Sequence, residues 1–266
     1  MARSALLNVM TQAAFKAGRA LSRDFGEVQN LQVSMKGPAD FVSSADRNAE
    51  KLIRMELGKA RPDFGFLMEE GGEITGRDPQ NRWIIDPLDG TTNFLHGIPH
   101  FCTSIALERE KEIVAGVIYA PATDELFVAE RGQGAYFNDK RIRVSARRDL
   151  ASCVIGCTIP HLGKKDHKFA MLEQHSVMKE VSGVRCSGST ALDLAYVAAG
   201  RYDGMWHRTI DPWDIAAGII LVREAGGYAT DTSGGKNYYD DHSILAGNEH
   251  IHRGLGDVLK TVGKSN

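Results

Sequence analysis

The segment that most narrows what this chain can fold into is Trp83-Ile84-Ile85-Asp86-Pro87-Leu88-Asp89-Gly90-Thr91-Thr92-Asn93. A short apolar run of this kind reads as a buried strand, and it delivers an acid at its C-terminal end. Pro87 fixes φ, so the chain is expected to turn there and bring Asp89 close to Asp86, pointing into the same space. Gly90 removes side-chain bulk where the backbone must come near something. Thr91, Thr92 and Asn93 supply hydroxyls and a helix start, an end that binds phosphate readily. Two carboxylates forced together repel, which raises the pKa of one of them. A hard divalent cation removes that penalty, and two aspartates, the Leu88 carbonyl and a phosphate oxygen would make a suitable oxygen shell. The competing reading of the same letters is a surface turn held by Asx hydrogen bonds.

Further acids stand at the ends of apolar segments. Glu69 and Glu70 follow the run 64–68, and parallel strand ends can converge at one edge of a sheet. Asp214 follows Asp211-Pro212-Trp213 and opens a helical pattern over 213–225, while Asp46 stands at another helix start near Ser44. For Asp46 and Asp214 the plain alternative is helix capping.

The chain has 266 residues, enough to bury roughly 70% of its unfolded surface in one large domain or two intimate halves. Lys and Arg number 32 against 34 Asp and Glu, a net charge of −2. Such a balance creates no long-range field for nucleic acid or an anionic membrane. Four cysteines without a CxxC do not make a disulfide framework. Cys153 and Cys157 lie in an apolar run and read as small core residues, and reduced thiols suit a cytoplasmic protein. Asn8, Thr11, Gln12 and Lys16 interrupt the N-terminal apolar residues, which therefore do not read as a signal peptide. No apolar run reaches 18 residues, so no membrane span is expected.

Periodicity predicts a helix over 4–25, a polar loop over 27–42, and a helix from Ser44 broken at Arg61-Pro62. Strands follow at 64–68 and 82–85. An antiparallel meander is then expected over 101–108, 113–119, 125–129 and 135–137, with a hairpin turn at Asn138-Asp139-Lys140. Beyond residue 150 the pattern alternates. Strands are read at 153–158, 184–186, 202–207, 228–230 and 243–246, and helices at 166–180, 190–199, 213–225 and 250–260. The expected organisation is an α+β half, 1–148, carrying most of the acids, and an α/β half, 149–266, carrying Asp214, together forming one structural unit.

The motifs resemble those of the inositol monophosphatase family of metal-dependent phosphatases. Asp86-Pro87-Leu88-Asp89-Gly90-Thr91-Thr92-Asn93 is similar to its first signature. Trp213-Asp214-Ile215-Ala216-Ala217-Gly218, running on to Glu224-Ala225-Gly226-Gly227, is similar to its second. Ala39-Asp40-Phe41-Val42-Ser43-Ser44-Ala45-Asp46 resembles the family's loop and helix start, so the likeness covers nearly the whole chain. The resemblance implies an α+β fold built as a five-layer αβαβα sandwich, a homodimer, and a site between the two halves. It implies two or three Mg²⁺ ions per site, held by Glu69, Asp86, Asp89, Asp214 and the Leu88 carbonyl. Gly90 and Thr91 would hold the phosphate, and Thr91 and Asp46 would help activate the attacking water that Glu69 orients. Gly188, Ser189 and Thr190 match the family's substrate loop, Lys36 matches a loop lysine near the metals, and Glu70 completes the acid pair.

There are departures from the family pattern. Met68 stands where the family usually has Gly, Gly71 where it often has Ser or Thr, and the interval from Glu69 to Asp86 is short. His207 falls where inositol-selective members commonly place a substrate-binding Glu. A neutral imidazole accepts one hydrogen bond where a carboxylate accepts more, so this position bears on substrate preference and not on the phosphatase chemistry. Its plain alternative is a surface histidine.

The activity so implied is hydrolysis of a phosphate monoester by a metal-activated water, with myo-inositol 1-phosphate as first candidate and Li⁺ as an inhibitor. No nucleophilic serine is needed, and Gly188-Ser189 lacks the G-x-S-x-G elbow. Relatives use fructose 1,6-bisphosphate, histidinol phosphate or 3′-phosphonucleotides, and a nucleotide would want an aromatic or basic pocket, for which Trp206 and Arg208 stand as candidates. A rival of another class is a regulatory protein acting on the transcription machinery. It would dock through basic stretches such as Lys140-Arg141-Ile142-Arg143, Arg147-Arg148 or His161-Leu162-Gly163-Lys164-Lys165, whose plain alternative is solvated surface. No EF-hand pattern occurs.

Overall fold

The computed structural model describes residues 3–27, 33–37, 40–160, 162 and 166–262, with backbone alone for 33–37 and 40–42. Helix α1 (Ala5–Phe25) begins where the Ser4 hydroxyl accepts the Leu7 N–H at 3.1 Å. It buries Leu7, Met10, Ala14, Ala17 and Leu21, one face at helical spacing. The segment 27–42, expected as a polar loop, instead carries the antiparallel hairpin β1 (Val33–Gly37) and β2 (Asp40–Ser43). Its strands satisfy each other's backbone groups and need no long apolar run to form, so hydropathy gave no sign of them. Helix α2 (Ser44–Ala60) is fixed at its start by a reciprocal cap: Ser43 Oγ accepts the Ala45 N–H, and Asp46 Oδ2 accepts the Ser43 N–H at 2.9 Å.

An eight-stranded sheet follows. Its members are β3 (Phe64–Met68), β4 (Gly72–Ile74), β5 (Asp78–Asp89), β6 (Cys102–Arg109), β7 (Glu112–Ala120), β8 (Glu125–Glu130), β9 (Gly134–Phe137) and β10 (Lys140–Arg141), in the order β10-β9-β8-β7-β6-β5-β3-β4. Strands β6 to β10 form the expected meander, β5 pairs antiparallel with β6 beside it, and β3 and β5 run parallel. Asn138 and Asp139, both at positive φ, make the tight turn into β10.

The second sheet holds β11 (Val154–Cys157), β12 (Gly183–Arg185), β13 (Gly204–Arg208), β14 (Tyr228–Thr230) and β15 (Ser243–Gly247), in the order β12-β11-β13-β15-β14. Between its strands run α4 (His167–Met178), α5 (Thr190–Ala198), α6 (Pro212–Glu224) and the short α7 (Tyr238–Asp241), and α8 (Glu249–Val262) follows the last strand. One further short helix, α3 (Thr91–Leu95), leaves the end of β5.

Packing sorts these elements into five layers. Helices α1 and α2 cover one face of the large sheet, and α5 and α6 fill the space between its other face and the second sheet. Helices α4 and α8 cover the far face of the second sheet. Three apolar cores occupy the boundaries. Leu7, Ile53, Trp83 and Ile105 belong to the first, Ile84, Ile118, Leu194 and Ile219 to the second, and Cys153, Cys157, Trp206 and Leu255 to the third. The five-layer αβαβα sandwich is thus borne out. Among the described residues no helix is long and apolar enough to cross a membrane.

The contact between β7 and α6 depends on Gly116. A Cβ there would lie 2.6 Å from Ile220 Cγ2 and 2.8 Å from the Ala217 carbonyl oxygen. We expect Gly116→Ala to cost about 1–3 kcal/mol of stability through overpacking. At this chain length each kcal/mol lowers the thermal midpoint by about 2–4 °C. Calorimetry checks it; an unchanged midpoint would contradict this packing.

Candidate functional site

Strand geometry brings the acids together. Met68 pairs with Ile85 across the parallel β3–β5 edge, so the next residues stand side by side, Glu69 just past the end of β3 and Asp86 within β5, and the Glu69 N–H donates to the Ile85 carbonyl at 3.2 Å. Residues three apart on a regular strand face opposite ways. Here Asp86 pairs with Ser104 and Asp89 with Cys102, so two residues of β5 oppose one of β6. This bulge restores Asp89 to the face that Asp86 occupies. The strand therefore continues through Pro87, where a turn was expected, and the chain turns at Gly90. Gly90 has φ +96°, and a side chain there would meet the His100 carbonyl oxygen at 3.0 Å.

The shared face looks toward α5 and α6. Asp89 Oδ2 accepts the Ser189 hydroxyl at 2.5 Å and the Ala191 N–H at 2.7 Å, so it caps the start of α5 from another layer of the fold. Asp214 lies in the first turn of α6, where its Oδ2 accepts the Asp211 N–H at 2.8 Å. Ser104 Oγ reaches the Trp213 carbonyl at 3.4 Å, tying the start of α6 to β6. Asp46 is wholly buried and accepts both the N–H and the hydroxyl of Ser43. The Thr91 hydroxyl lies 3.0 Å from Asp46 Oδ1 and 3.0 Å from the Leu88 carbonyl, and its single proton serves one of them at a time. The capping roles foreseen for Asp46 and Asp214 are therefore real; Asp214 also feels the charges of Asp89 and Glu69, and Asp46 meets the site through the Thr91 hydroxyl.

The remaining predicted residues scatter more. Gly188 packs against the Asn93 side chain. Ser189 is occupied with Asp89, while Thr190 Oγ1 lies 2.9 Å from His207 Nδ1. His207 is only 8% exposed, which corrects the surface alternative. The Glu70 N–H is held by Glu50 Oε2 at 2.9 Å, and its side chain borders a groove with Arg47, Lys51 and Arg54 on α2, apart from the acid cluster. Lys36 lies on β1, and its side chain falls outside the described residues. Trp206 is buried in the third core, and Arg208 is paired with Glu173 at 2.8 Å, so neither offers a nucleotide pocket. Of the basic stretches, Arg147 pairs with Asp203 at 3.0 Å, and residues 161 and 163–165 lie outside the described residues.

The role of one quoted residue and the presence of another group escaped the sequence reading. Asn93 Nδ2 donates to the carbonyls of His100 and Ser187 at 2.7 and 2.8 Å, stapling α3 to the loop before α5. Asp193 is fully buried beside Asp89, with His100 Nε2 3.9 Å away. The signal was present: Asp193 is the one charged residue in the apolar run Ala191-Leu192-Asp193-Leu194-Ala195.

The cluster's electrostatics are those of uncompensated anions. Burial raises the pKa of Asp86 well above its ordinary value, and the charges of Glu69, Asp89 and Asp214 raise it further. Asp214 is raised by burial and then by Asp89. Asp89 is raised by burial, against the α5 hydrogen bonds that lower it. The donors are carboxylates and a carbonyl, all hard oxygen, which fits a hard cation. Among the described residues no group of three or more His, Cys, Asp or Glu side chains stands close enough as placed to hold a metal ion. Asp89 and Asp214 instead turn oxygens toward backbone amides.

A family model described as the inositol monophosphatase family matches residues 2–263. A Mesorhizobium japonicum protein named inositol-1-monophosphatase is 64% identical over 260 residues, 98% of each chain. The Escherichia coli protein named Nus factor SuhB is 42% identical over 246 residues, 92% of each chain. The crystal structure of the extragenic suppressor protein suhB from Bartonella henselae superposes with a TM-score of 0.95 at 63% identity, covering 97% of this chain and 99% of that one.

The raised carboxylates fix the sign of a pH effect. Their folded pKa values exceed the unfolded value near 3.8, so the folded chain holds protons that the unfolded chain has lost. Their contribution to stability is fully present below that value and is lost as pH rises through the folded values. In chelator, the thermal midpoint is expected to fall as pH climbs from about 4 to 7. The slope should be shallower in Asp214→Asn, and added Mg²⁺ should restore most at the upper end. A slope equal in the variant would contradict the assignment.

Proposed function

The chain belongs to the inositol monophosphatase family, and from that premise we propose that it hydrolyses a small phosphorylated polyol, myo-inositol 1-phosphate foremost, with Mg²⁺ as cofactor. The family is generally metal-dependent. The observation that carries the reading is the gathering of Glu69, Asp86, Asp89 and Asp214 at one strand edge and one helix start, where burial and the neighbouring acids raise the pKa values of Asp86 and Asp214. In this reading Glu69, Asp86, the Leu88 carbonyl, Asp89 and Asp214 hold two or three cations. Bound there, such cations lower the pKa of a water and neutralise charge on the leaving oxygen.

The chain's own residues supply position. Asp46, fixed by Ser43, can hold the Thr91 hydroxyl proton on Oδ1, which leaves the Thr91 oxygen lone pairs free to accept a proton from an attacking water. Gly90 and Thr91, at the start of α3, hold the phosphate, where the partial positive charge of a helix start favours anions. Ser189 and Thr190 sit at the start of α5, and His207 reaches them through Thr190, so a His207 substitution acts on substrate selection through that loop.

Phosphate release from myo-inositol 1-phosphate, measured across a Mg²⁺ titration, tests the reading. Asp89→Asn, which keeps an acceptor for Ser189 and Ala191, should lose more than the roughly 10–100-fold that loss of an outer-shell partner costs. Thr91→Ala should lower kcat with little change in the Mg²⁺ requirement. Activity in Asp89→Asn within a few-fold of wild type would sink the metal assignment. A larger kcat/KM for another phosphate monoester would replace the substrate and leave the chemistry.

A further inference from the structure

Two of the four cysteines meet at the edge of the second sheet. Strands β11 and β12 run parallel with Gly156 opposite Arg185, so the next residue on each is a cysteine: Cys157 on one and Cys186 on the other. Their sulfurs lie 3.0 Å apart. Neighbouring strands are about 4.8 Å apart, which lies inside the Cα separation that disulfides bridge. Closing the bond to about 2.0 Å needs roughly 1 Å of sulfur travel.

The two thiols are unequal in the way a reactive pair requires. Cys157 is buried in the third core, whereas Cys186 is the exposed one of the four. Gln174 of α4 points its amide at the pair, with Nε2 3.4 Å from Cys186 Sγ and 3.9 Å from Cys157 Sγ. The hydrogen bond from the Cys157 thiol draws the Cys186 pKa down to about 7, aided by Gln174, while Cys157 is pushed up. Cys153 is pushed up to about 11 by burial, and Cys102 is raised by burial beside the acids. One accessible thiolate therefore has a second thiol already in contact with it.

We propose that Cys157 and Cys186 are a hydroperoxide-reactive dithiol that closes reversibly to a disulfide and shifts the turn leading to Ser189. The Cys186 thiolate attacks one peroxide oxygen, the O–O bond breaks, and hydroxide leaves and is protonated to water. This oxidises Cys186 to a sulfenic acid. Cys157 sulfur then attacks the Cys186 sulfur, the S–O bond breaks, and the departing hydroxide takes the Cys157 proton as a second water. Two electrons pass from the sulfur pair to the peroxide, and an external dithiol reverses the change. Cys186 leads directly into Ser187-Gly188-Ser189, where the Ser187 carbonyl accepts from Asn93 and the Ser189 hydroxyl donates to Asp89. The proposal stands on sulfur geometry and does not depend on the phosphatase reading.

The experiment treats the folded full chain with equimolar hydrogen peroxide and reads intact mass, non-reducing peptide maps and amide exchange. The expected result is loss of two hydrogens, a Cys157–Cys186 cross-linked peptide, altered exchange across 187–191, and full reversal by dithiothreitol. In Cys157→Ser, Cys186 should stop as a sulfenic acid that a cyclic dione traps. Gln174→Leu keeps both thiols and should slow oxidation several-fold, which guards against a misfolded cysteine variant. Oxidation of Cys186 to the sulfinic acid with Cys157 still free, or a bridge to any other cysteine, would overturn the pair. Unchanged exchange in the bridged form would overturn its action on the turn.

Discussion

One residue too many on β5, between Asp86 and Asp89, is the constraint on which the candidate site depends. Without the bulge the two carboxylates would face opposite sides of the sheet, one toward α1 and α2 and the other toward α5 and α6. With it, both face the interior layer, where the starts of α5 and α6 arrive from the second half of the chain. Pro87 suits a bulge because it has no amide proton to contribute to the ladder. The bulge is pinned from β6, where the Thr103 hydroxyl donates to the Pro87 carbonyl at 2.9 Å, and from within, where the Leu88 N–H donates to Asp86 Oδ1 at 2.9 Å.

Asp89 then does two things that are hard to separate. It caps the start of α5, whose first amides point at it, and it stands beside Asp86 and Asp214, whose pKa values are raised by burial and then by neighbouring acids. Gathering buried anions costs folding free energy, and helix dipoles and amide hydrogen bonds offset only part of it. A cation would relieve the rest, so metal affinity and stability are linked through the same side chains. Asp89 and Asp214 each also turn an oxygen toward a backbone amide donor.

The layers and most elements were legible in the sequence because their signals are local. The apolar stripe of α1, the Ser43–Asp46 cap, and the turn at Asn138-Asp139 each sit within a few residues. What the sequence hid is non-local. The strand over 82–85 looked complete at Ile85, because hydropathy cannot see that β6 continues to pair with β5 as far as Asp89. The hairpin β1–β2 has no apolar alternation strong enough to announce it. The acids were each visible at a segment end, yet the bulge and the register that place Glu69 beside Asp86 follow only from strand pairing. Asn93 was quoted within a motif while its staple to Ser187, across 94 positions, could not be read. Cys157 read as core, which it is, but its contact with Cys186 depends on the β11–β12 register.

The central claim is that carboxylates from separate stretches of chain share divalent cations. Anomalous diffraction from crystals grown with Mn²⁺ as a Mg²⁺ surrogate tests it most directly. The account predicts strong peaks within about 2–2.5 Å of oxygens from Glu69, Asp86, Asp89 and Asp214. Peaks confined to other parts of the molecule, with those four carboxylates bare, would contradict it.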